Sequence, residues 1–219
     1  MRGRRRAATL PVRFFERPAD VVARELVGRL VASDVEGRPT LGRVVETEAY
    51  LGYDDPASHG FRGRRHAQNE ALYGPPGSWY VYRSYGVHWC ANLVCHAAGQ
   101  GSAVLLRAVE PLEGLEIMRR RREGVGDRYL CAGPGRLCQA LGITRAELDG
   151  RMMQRSGVVV LDSDGWDGAV EITPRIGITK AVDWPLRFAA AGSPWVSRRI
   201  SSRRGAFPLR SRGSPAGRR

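Results

Sequence analysis

The chain has 219 residues, enough for one sizeable domain, and its hydrophobic content of 42% is ordinary for a globular protein. No apolar run approaches the roughly 18 residues that a membrane span needs. The start of the chain is positively charged but lacks the apolar stretch of a secretory signal. These features argue against a membrane protein and against an exported one, so we expect an intracellular protein of the cytoplasm, nucleoid or nucleus.

The net charge of +13 is concentrated at the two ends of the chain. Residues 2–6 contain four arginines, residues 198–219 contain eight, and neither segment has an acidic residue. Segments this rich in Arg, Gly, Ser and Pro cannot bury a core, so we predict flexible tails at residues 1–9 and 200–219 around one domain at 10–199. Basic tails attract phosphate backbones without sequence preference, although a merely solvated end would have the same composition.

The four cysteines are predicted to be reduced thiols of the core, because nothing else in the chain indicates export. His88-x-Cys90 and Cys95-His96 bring four side chains that can bind metal close together in sequence. Cys90 and Cys95 differ in strand parity, however, and no Cys-x-x-Cys pair exists. A structural zinc is therefore the less favoured interpretation, and we predict neither a metal nor another cofactor. The cysteines are Cys90, Cys95, Cys131 and Cys138.

The first half of the chain predicts one helix followed by strands. The helix is expected after Pro18-Ala19-Asp20, where apolar residues follow at helical spacing and Asp20 can cap the first turn. Ser84-Tyr85-Gly86 is predicted to be a tight hairpin turn that places Tyr85 at an exposed tip. The strands are predicted at Leu30–Ser33, Gly42–Tyr50, Trp79–Arg83, Val87–Val94 and Ser102–Val109.

The second half predicts shorter elements. Pro111 is expected to open a helix that reaches the arginines at 119–122, and Gly133-Pro134-Gly135 leads into a helix over Arg136–Leu141 that Gly142 closes. Strands are predicted at Val158–Leu161, Val170–Ile172 and Arg187–Ala190. Hairpin signals without a regular alternation of strands and long helices indicate an α+β fold. We expect a single mixed domain built on a curved, mainly antiparallel β-sheet with surrounding helices and a protruding β-hairpin.

The strand that ends at Tyr50 carries an unusual face. If Arg43–Tyr50 is extended, alternation places Glu46, Glu48 and Tyr50 on one side and the small and apolar residues on the other. The apolar side is what a core requires, whereas two carboxylates and an aromatic ring are unusual for a structural strand. The long polar segment Leu51–Gly77 follows directly, and loops of this length in compact domains are usually functional. We therefore predict a functional site on this face.

Five segments, in chain order, carry the clearest motifs: RVVETEAYLGYDDPASHG, GPPGSWYVYRSYGVHWCANLV, VLLRAVEPLEGLEIMR, GPGRLCQALGI and GSPWVS. Together they resemble the alkyladenine (3-methyladenine) DNA glycosylase family over roughly residues 10–200, and the first two are the most specific. The chain departs from the family at Arg65-His66-Ala67-Gln68-Asn69, where the family usually has a Thr-Pro-Arg-Asn-like step. That departure would change DNA contacts or lesion preference rather than the chemistry.

The resemblance implies a repair enzyme that excises alkylated or deaminated purines (3-methyladenine, 7-methylguanine, hypoxanthine, ethenoadenine) after swinging them out of the duplex. Glu48 matches the family's catalytic carboxylate, which activates the attacking water and leaves an abasic site. Arg107 matches the residue that holds this carboxylate and its water. Glu46 shares the face and is the alternative catalyst, although pairing with a nearby arginine is the preferred interpretation for it.

The resemblance also implies a pocket for the extruded base. Tyr50 and Tyr82 match its two stacking walls, and His59 matches the residue that closes it and donates a hydrogen bond. Asn92 matches the residue whose amide clashes with the amino group of guanine, and Leu105 matches a position on the floor. Stacking is worth about 1–3 kcal/mol per base, and a cationic purine adds a cation–π term. Such a pocket favours damaged bases without reading sequence.

Tyr85 matches the family residue that intercalates through the minor groove and fills the gap in the duplex. Tyr80 is interpreted as cross-strand packing, and Gly133-Pro134-Gly135 as a weak phosphate-binding signal. Lys180 is the only lysine and lies far from the motifs in sequence. Because strand-nicking glycosylases need an amine for a Schiff base, we predict a monofunctional hydrolase, with the N-terminal amine as the one remaining alternative.

The expected partners are duplex DNA with a damaged purine and a water nucleophile, with no membrane and with the protein as a monomer. Two other functions stay open at this point. One is a basic nucleic-acid-binding module without catalysis, which would depend on the tails and not on Glu48. The other is a sugar hydrolase for small molecules, which would act on free nucleosides and would not need Tyr85.

Overall fold

The computed structural model describes residues 8–199, so the predicted tails lie outside the described residues except for positions 8 and 9. The described part contains eight strands and four α-helices. The strands are β1 Leu30–Ser33, β2 Thr40–Tyr50, β3 Trp79–Ser84, β4 His88–Cys95, β5 Ser102–Glu113, β6 Val158–Leu161, β7 Val170–Thr173 and β8 Arg187–Ala190. The helices are α1 Ala19–Leu26, α2 Leu115–Arg121, α3 Pro134–Leu141 and α4 Arg145–Leu148.

The strands form one sheet in which every described pairing is antiparallel. Its main path runs β3-β4-β5-β2-β1-β6, and β7 is joined to it through β8. Strand β2 is central: β5 pairs along one side of it, while β1 and then β8 share the other side. This arrangement confirms the predicted α+β class and its antiparallel sheet.

The apolar side of β2 packs into the core. Val45 and Ala49 are fully buried there. The Thr47 hydroxyl donates a hydrogen bond of 2.7 Å to the carbonyl of Ala23 in α1. Helix α1 therefore covers this side of β2, and the side that carries Glu46 and Glu48 is turned away from it, as alternation predicts.

Two irregularities in the β2–β5 ladder lie next to the carboxylates. The pairing passes from Val44 to Glu46 and omits Val45, and it then omits Arg107 on β5. Such β-bulges bend a strand and re-aim side chains, and they are frequent beside active sites. Here they bring the Arg107 side chain onto both glutamates.

The prediction of a helix that begins at Pro111 is wrong. Strand β5 continues through Pro111 to Glu113, and α2 begins only at Leu115. Pro111 lies opposite Gly42, where the register shifts, so its missing N–H falls at an irregular point of the ladder. The strand then stops at Gly114, whose φ is +76° and whose position would bring a Cβ to 2.5 Å from the carbonyl oxygen of Pro39.

Strands β3 and β4 form the predicted protruding hairpin. Val87 N–H donates to the carbonyl of Ser84 at 3.1 Å. The two residues between them, Tyr85 and Gly86, have φ of +50° and +66°, as a type I′ turn requires. A bulky residue is costly at positive φ, yet the Tyr85 side chain is 89% exposed at the tip. Folding alone gives no reason for a tyrosine there.

The other composition-based expectations concern thiols, metals and membranes. All four cysteines are free and buried. Within residues 8–199, no three side chains of His, Cys, Asp or Glu come close enough to hold a metal ion. No helix in that part of the chain combines the length and the apolar character needed to cross a bilayer.

Candidate active site

A cavity of about 670 Å³ opens between the hairpin and the end of β2, a size typical of ligand pockets. Strands β3, β4 and β5 contribute to its walls, together with the loop after β2 and the segment Ile176–Lys180. Glu48 is fully buried behind the wall, against Tyr50, Arg107 and Ile176. The other predicted site residues all line the cavity: Tyr50, His59, Tyr82, Tyr85, Asn92, Leu105 and Arg107.

The Glu48 carboxylate is held by two hydrogen-bond donors and one ion pair. The Tyr50 hydroxyl donates to Oε2 at 3.0 Å. The guanidinium of Arg107 approaches the same oxygen, with its Nη1 at 3.1 Å. The backbone N–H of Ile176 donates to Oε1 at 2.7 Å. The carboxylate is therefore fixed in place, and two of its three partners are side chains of the cavity wall.

The pKa of Glu48 is raised above its ordinary value. Burial is the largest cause, and the negative charge of Glu46 adds to it, while Arg107, the Ile176 N–H and the Tyr50 hydroxyl act in the opposite direction. A carboxylate with a raised pKa is a stronger base, which is the shift that general-base catalysis requires.

Glu46 is an anchor and not a free carboxylate. Its Oε1 accepts from Arg107 Nε at 3.0 Å, from Arg187 Nε at 2.7 Å and from the Ser197 hydroxyl at 2.8 Å. Its Oε2 accepts from the Ser197 N–H. Burial tends to raise the pKa of Glu46, but the two arginines and the hydrogen bonds outweigh it and lower the pKa. Glu46 is therefore paired with arginine, as expected. The pKa values of the two neighbouring carboxylates, Glu46 and Glu48, are shifted in opposite directions.

Three rings form the aromatic side of the cavity. Tyr80 and Tyr82 are stacked, with centroids 5.5 Å apart and planes at 27°. His59 meets Tyr82 edge-on at 4.5 Å, and its Nδ1 lies 2.7 Å from the Tyr80 hydroxyl. Tyr80 is buried, as its interpretation as packing requires, but it also lines the cavity and holds His59. Strand alternation indicates that Tyr80 and Tyr82 share a face, but it gives no sign of the contact with His59.

Asn92 is fixed by its own strand pair. Its Nδ2 donates to the carbonyl of Tyr80 at 3.0 Å and to that of Cys90 at 3.3 Å. Asn92 pairs with Tyr80 on β3 and with Leu105 on β5, so the three residues lie side by side across the sheet. The amide at the cavity floor therefore has one orientation.

Lys180 lies in the wall of the same cavity, although it is remote in sequence. Sequence distance was therefore a poor reason to discount it as a Schiff-base residue. The exposure of Lys180 is a better argument against that role. Nucleophilic lysines are activated by desolvation or by a neighbouring cation. The lack of burial agrees with hydrolysis by water.

Four residues that support the site were not among the predicted site residues. Arg187 and Ser197 bind Glu46, although both are far from β2 in sequence. Arg175 and Asp55 form a buried pair behind Tyr50 across a separation of 120 residues. Ser197 lies in the GSPWVS motif, which could have marked it, but nothing local distinguishes either arginine among the many in this chain.

Comparison with known proteins gives one consistent result. Residues 13–194 match the model of a family described as methylpurine-DNA glycosylase (MPG). A curated relative from Nitrosospira multiformis is 50% identical over 178 residues, which cover 81% of this chain and 88% of the relative. Relatives from Koribacter versatilis and Agrobacterium fabrum are 48% and 47% identical, each covering 87% of this chain and 93% of its own length. All three carry the name "Putative 3-methyladenine DNA glycosylase".

Proposed function

The chain belongs to the methylpurine-DNA glycosylase family and is a monofunctional DNA glycosylase for alkylated bases; from this premise we propose how it acts and on what. It extrudes 3-methyladenine, 7-methylguanine, hypoxanthine or ethenoadenine from duplex DNA into the cavity beside the hairpin. Water activated by Glu48 then hydrolyses the N-glycosidic bond. The observation that carries this proposal is a buried carboxylate of raised pKa, held at the wall of an aromatic cavity.

The reaction uses Glu48 as the general base. The carboxylate removes a proton from water, the resulting oxygen bonds to C1′ of the sugar, and the C1′–N bond breaks with its electron pair leaving on the base. Positive charge develops on the sugar as that bond breaks, and the same carboxylate stabilises it. Arg107 keeps Glu48 oriented. Glu46 in turn holds Arg107 by accepting a hydrogen bond from the arginine Nε.

The cavity selects its base by stacking and by shape. Tyr50 and Tyr82 supply flat walls worth about 1–3 kcal/mol per base, with a further cation–π term for a purine that alkylation has made cationic. If the neutral Tyr80 hydroxyl donates to His59 Nδ1, the Nε2–H of His59 is available as a donor to the base. Asn92, with its orientation fixed, excludes guanine through the exocyclic amino group.

Duplex DNA is the partner, and it meets the protein at the hairpin. Tyr85 enters the minor groove and occupies the space of the extruded nucleotide. A second cavity of about 610 Å³ lies beside the first, and its walls include Arg136, Arg198 and Gly133-Pro134-Gly135 at the start of α3. These cations and the Gly135 N–H in the first turn of α3 suit the DNA phosphates. We expect a monomer whose basic tails add attraction that depends on salt.

An excision panel tests the proposed function. Wild-type protein is incubated with duplexes that each carry one of the four lesions, and abasic product is revealed by alkali. We expect excision of at least one lesion, none of normal purines, and no covalent complex after borohydride reduction, because water and not Lys180 attacks C1′. Folded protein that excises no purine lesion would refute the proposal, and excision confined to free nucleosides would favour the small-molecule hydrolase.

Replacing Tyr85 by alanine is expected to lower excision from duplex DNA by about 10- to 100-fold, because unstacking costs a few kcal/mol per step and the gap is no longer filled. The measurement is kcat/KM on a hypoxanthine duplex. Lesions in single-stranded DNA should be excised at nearly the wild-type rate, since no paired stack has to be restored. Tyr53→Ala is the matched control, because Tyr53 is also exposed but does not line the cavity. Equal losses on both substrates would contradict the wedge role.

A further inference from the structure

An ion pair with no exposed side-chain surface lies directly behind Tyr50. Arg175 binds Asp55 through two parallel contacts, Nη1–Oδ2 at 2.5 Å and Nη2–Oδ1 at 2.8 Å, and both side chains are 0% exposed. Nη1 also donates to the carbonyl of Ala49 at 2.9 Å. The Arg175 guanidinium lies 4.7 Å from the centroid of the Tyr50 ring. The pair is therefore attached to the end of the strand that carries Glu48 and Tyr50.

Asp55 organises the first of two loops around the cavity. Its Oδ2 accepts from the N–H of Leu51 at 3.1 Å, and its Oδ1 accepts from the N–H of Ala57 at 3.0 Å. The loop then continues through residues 56–59, which line the cavity and end at His59. One carboxylate thus fixes both the turn that leaves β2 and the start of this wall.

Arg175 organises the second loop. The next residue, Ile176, donates its N–H to Glu48 Oε1 at 2.7 Å. Residues 176–180 then form another part of the cavity wall. The position of the Ile176 N–H therefore depends on where the Arg175 side chain is held, which is against Asp55 and the Tyr50 ring.

We propose that Arg175 and Asp55 are positioning residues for the glycosylase reaction, which hold the Ile176 N–H on Glu48 and the Tyr50 ring against the base. The inference rests on the proposed role of Glu48. The pair joins both loops to the strand that carries Glu48 through its contacts with Ala49, the Tyr50 ring and Leu51. Neither residue lines the cavity, so any effect on the reaction passes through Ile176 and Tyr50.

Burying this ion pair costs free energy that a purely structural core would not require. Two buried ions lose their hydration, and apolar residues of the same volume often serve stability as well or better. Arg175 Nε is in addition buried without a hydrogen-bond partner among the described residues, and a buried donor left unpaired costs free energy. The planar guanidinium of Arg175 can align two loops through fixed hydrogen bonds, and this role explains why an unfavourable buried pair is present.

Loss of the pair should change how Glu48 titrates. The groups that act on its carboxyl are Arg107, Glu46, the Tyr50 hydroxyl and the Ile176 N–H. If Ile176 moves away, the ionised carboxylate loses one donor, so the pKa of Glu48 rises further. The acid limb of the pH–rate profile, where the base becomes ionised, then moves to higher pH.

The test compares Asp55→Asn and Arg175→Lys with wild type in single-turnover excision of hypoxanthine from duplex DNA. We expect the rate at saturating enzyme to fall by about 10- to 100-fold, as for other small displacements of catalytic groups, and the acid limb to shift to higher pH. The control is Asp127→Asn, which breaks a partly exposed two-pronged pair with Arg119 away from the site and should change neither quantity.

Hydrogen exchange of the Ile176 amide, which donates to Glu48 in the wild type, keeps the test decisive if a variant is unstable. We expect this amide to lose protection under conditions where the amides of the strands retain it. Unchanged rates and an unchanged acid limb in folded variants would overturn the proposal. So would a loss of rate that tracks only the unfolded fraction, with the limb unmoved. Failure of the proposed function is distinguishable, because the wild type itself would then excise nothing.

Discussion

Replacing Glu48 by glutamine is expected to lower the rate of lesion excision by about 10²–10⁴-fold, the usual contribution of a general base. Glutamine has the shape of glutamate and can still accept from the Ile176 N–H, but it cannot take a proton from water. The measurement is single-turnover excision of hypoxanthine from duplex DNA. Affinity for the lesion duplex, measured by band shift, should change little, because glutamine keeps the shape of glutamate and the rings that line the cavity are unchanged.

The pH dependence provides the control for this substitution. In the proposed reaction Glu48 acts only when it is ionised, and its pKa lies above the ordinary value of 4.5. The wild-type rate should therefore rise with pH along a limb that lies above that value. The residual rate of Glu48→Gln should lack this limb. Near-normal excision by the variant would assign water activation to another group and would remove the central claim about Glu48.

Stability gives an independent check on the same residue. Because the folded pKa of Glu48 exceeds its unfolded value of about 4.5, the contribution of this group to stability is full below the unfolded pKa and is lost as pH rises through the folded pKa. The ionised carboxylate is thus unfavourable to the fold at neutral pH. Glutamine avoids that penalty, so we expect Glu48→Gln to be as stable as wild type or more stable at pH 7, a trade of stability for activity.

Features that depend on local chain geometry could be predicted from the sequence. The period of a strand is two, so Glu46, Glu48 and Tyr50 had to share a face once β2 was recognised. The hairpin tip followed from a turn that tolerates positive φ. Pro111 shows the limit of such patterns, because proline is common both at a helix start and at an irregular point of a strand. Pairing with β2 decided between them, and that pairing is not local.

The pKa shifts in the site could not be predicted from the sequence, because they also depend on contacts that are not local. Glu46 and Glu48 are equivalent in the sequence, two residues apart on one strand. Their pKa values move in opposite directions because Arg187 and Ser197, more than 140 residues away, bind Glu46 and not Glu48. The resemblance to a known family, and not the charge pattern, singled out Glu48 as the base.

Replacing Glu46 by glutamine is expected to lower the free energy of unfolding by about 3–5 kcal/mol, the usual cost of removing one partner from a buried ion pair. The substitution leaves Arg107 and Arg187 buried, with 7% and 4% of their surfaces exposed, and without their shared negative charge. Urea denaturation at pH 7 measures the loss. A loss of this size would be a large part of the total stability of a typical domain, about 5–15 kcal/mol.

The way in which the stability loss of Glu46→Gln changes with pH distinguishes a lost ion pair from a simple packing defect. The folded pKa of Glu46 is lowered, so its stabilising contribution is present above the unfolded value of about 4.5 and disappears as pH falls through the folded pKa. The difference between wild type and Glu46→Gln should therefore shrink in acid. Glu116→Gln is the control: Glu116 pairs with Arg119 but its side chain is 76% exposed, so we expect a loss of at most about 1 kcal/mol. If both substitutions cost the same, the buried arginines do not depend on Glu46, and another group must hold Arg107 against Glu48.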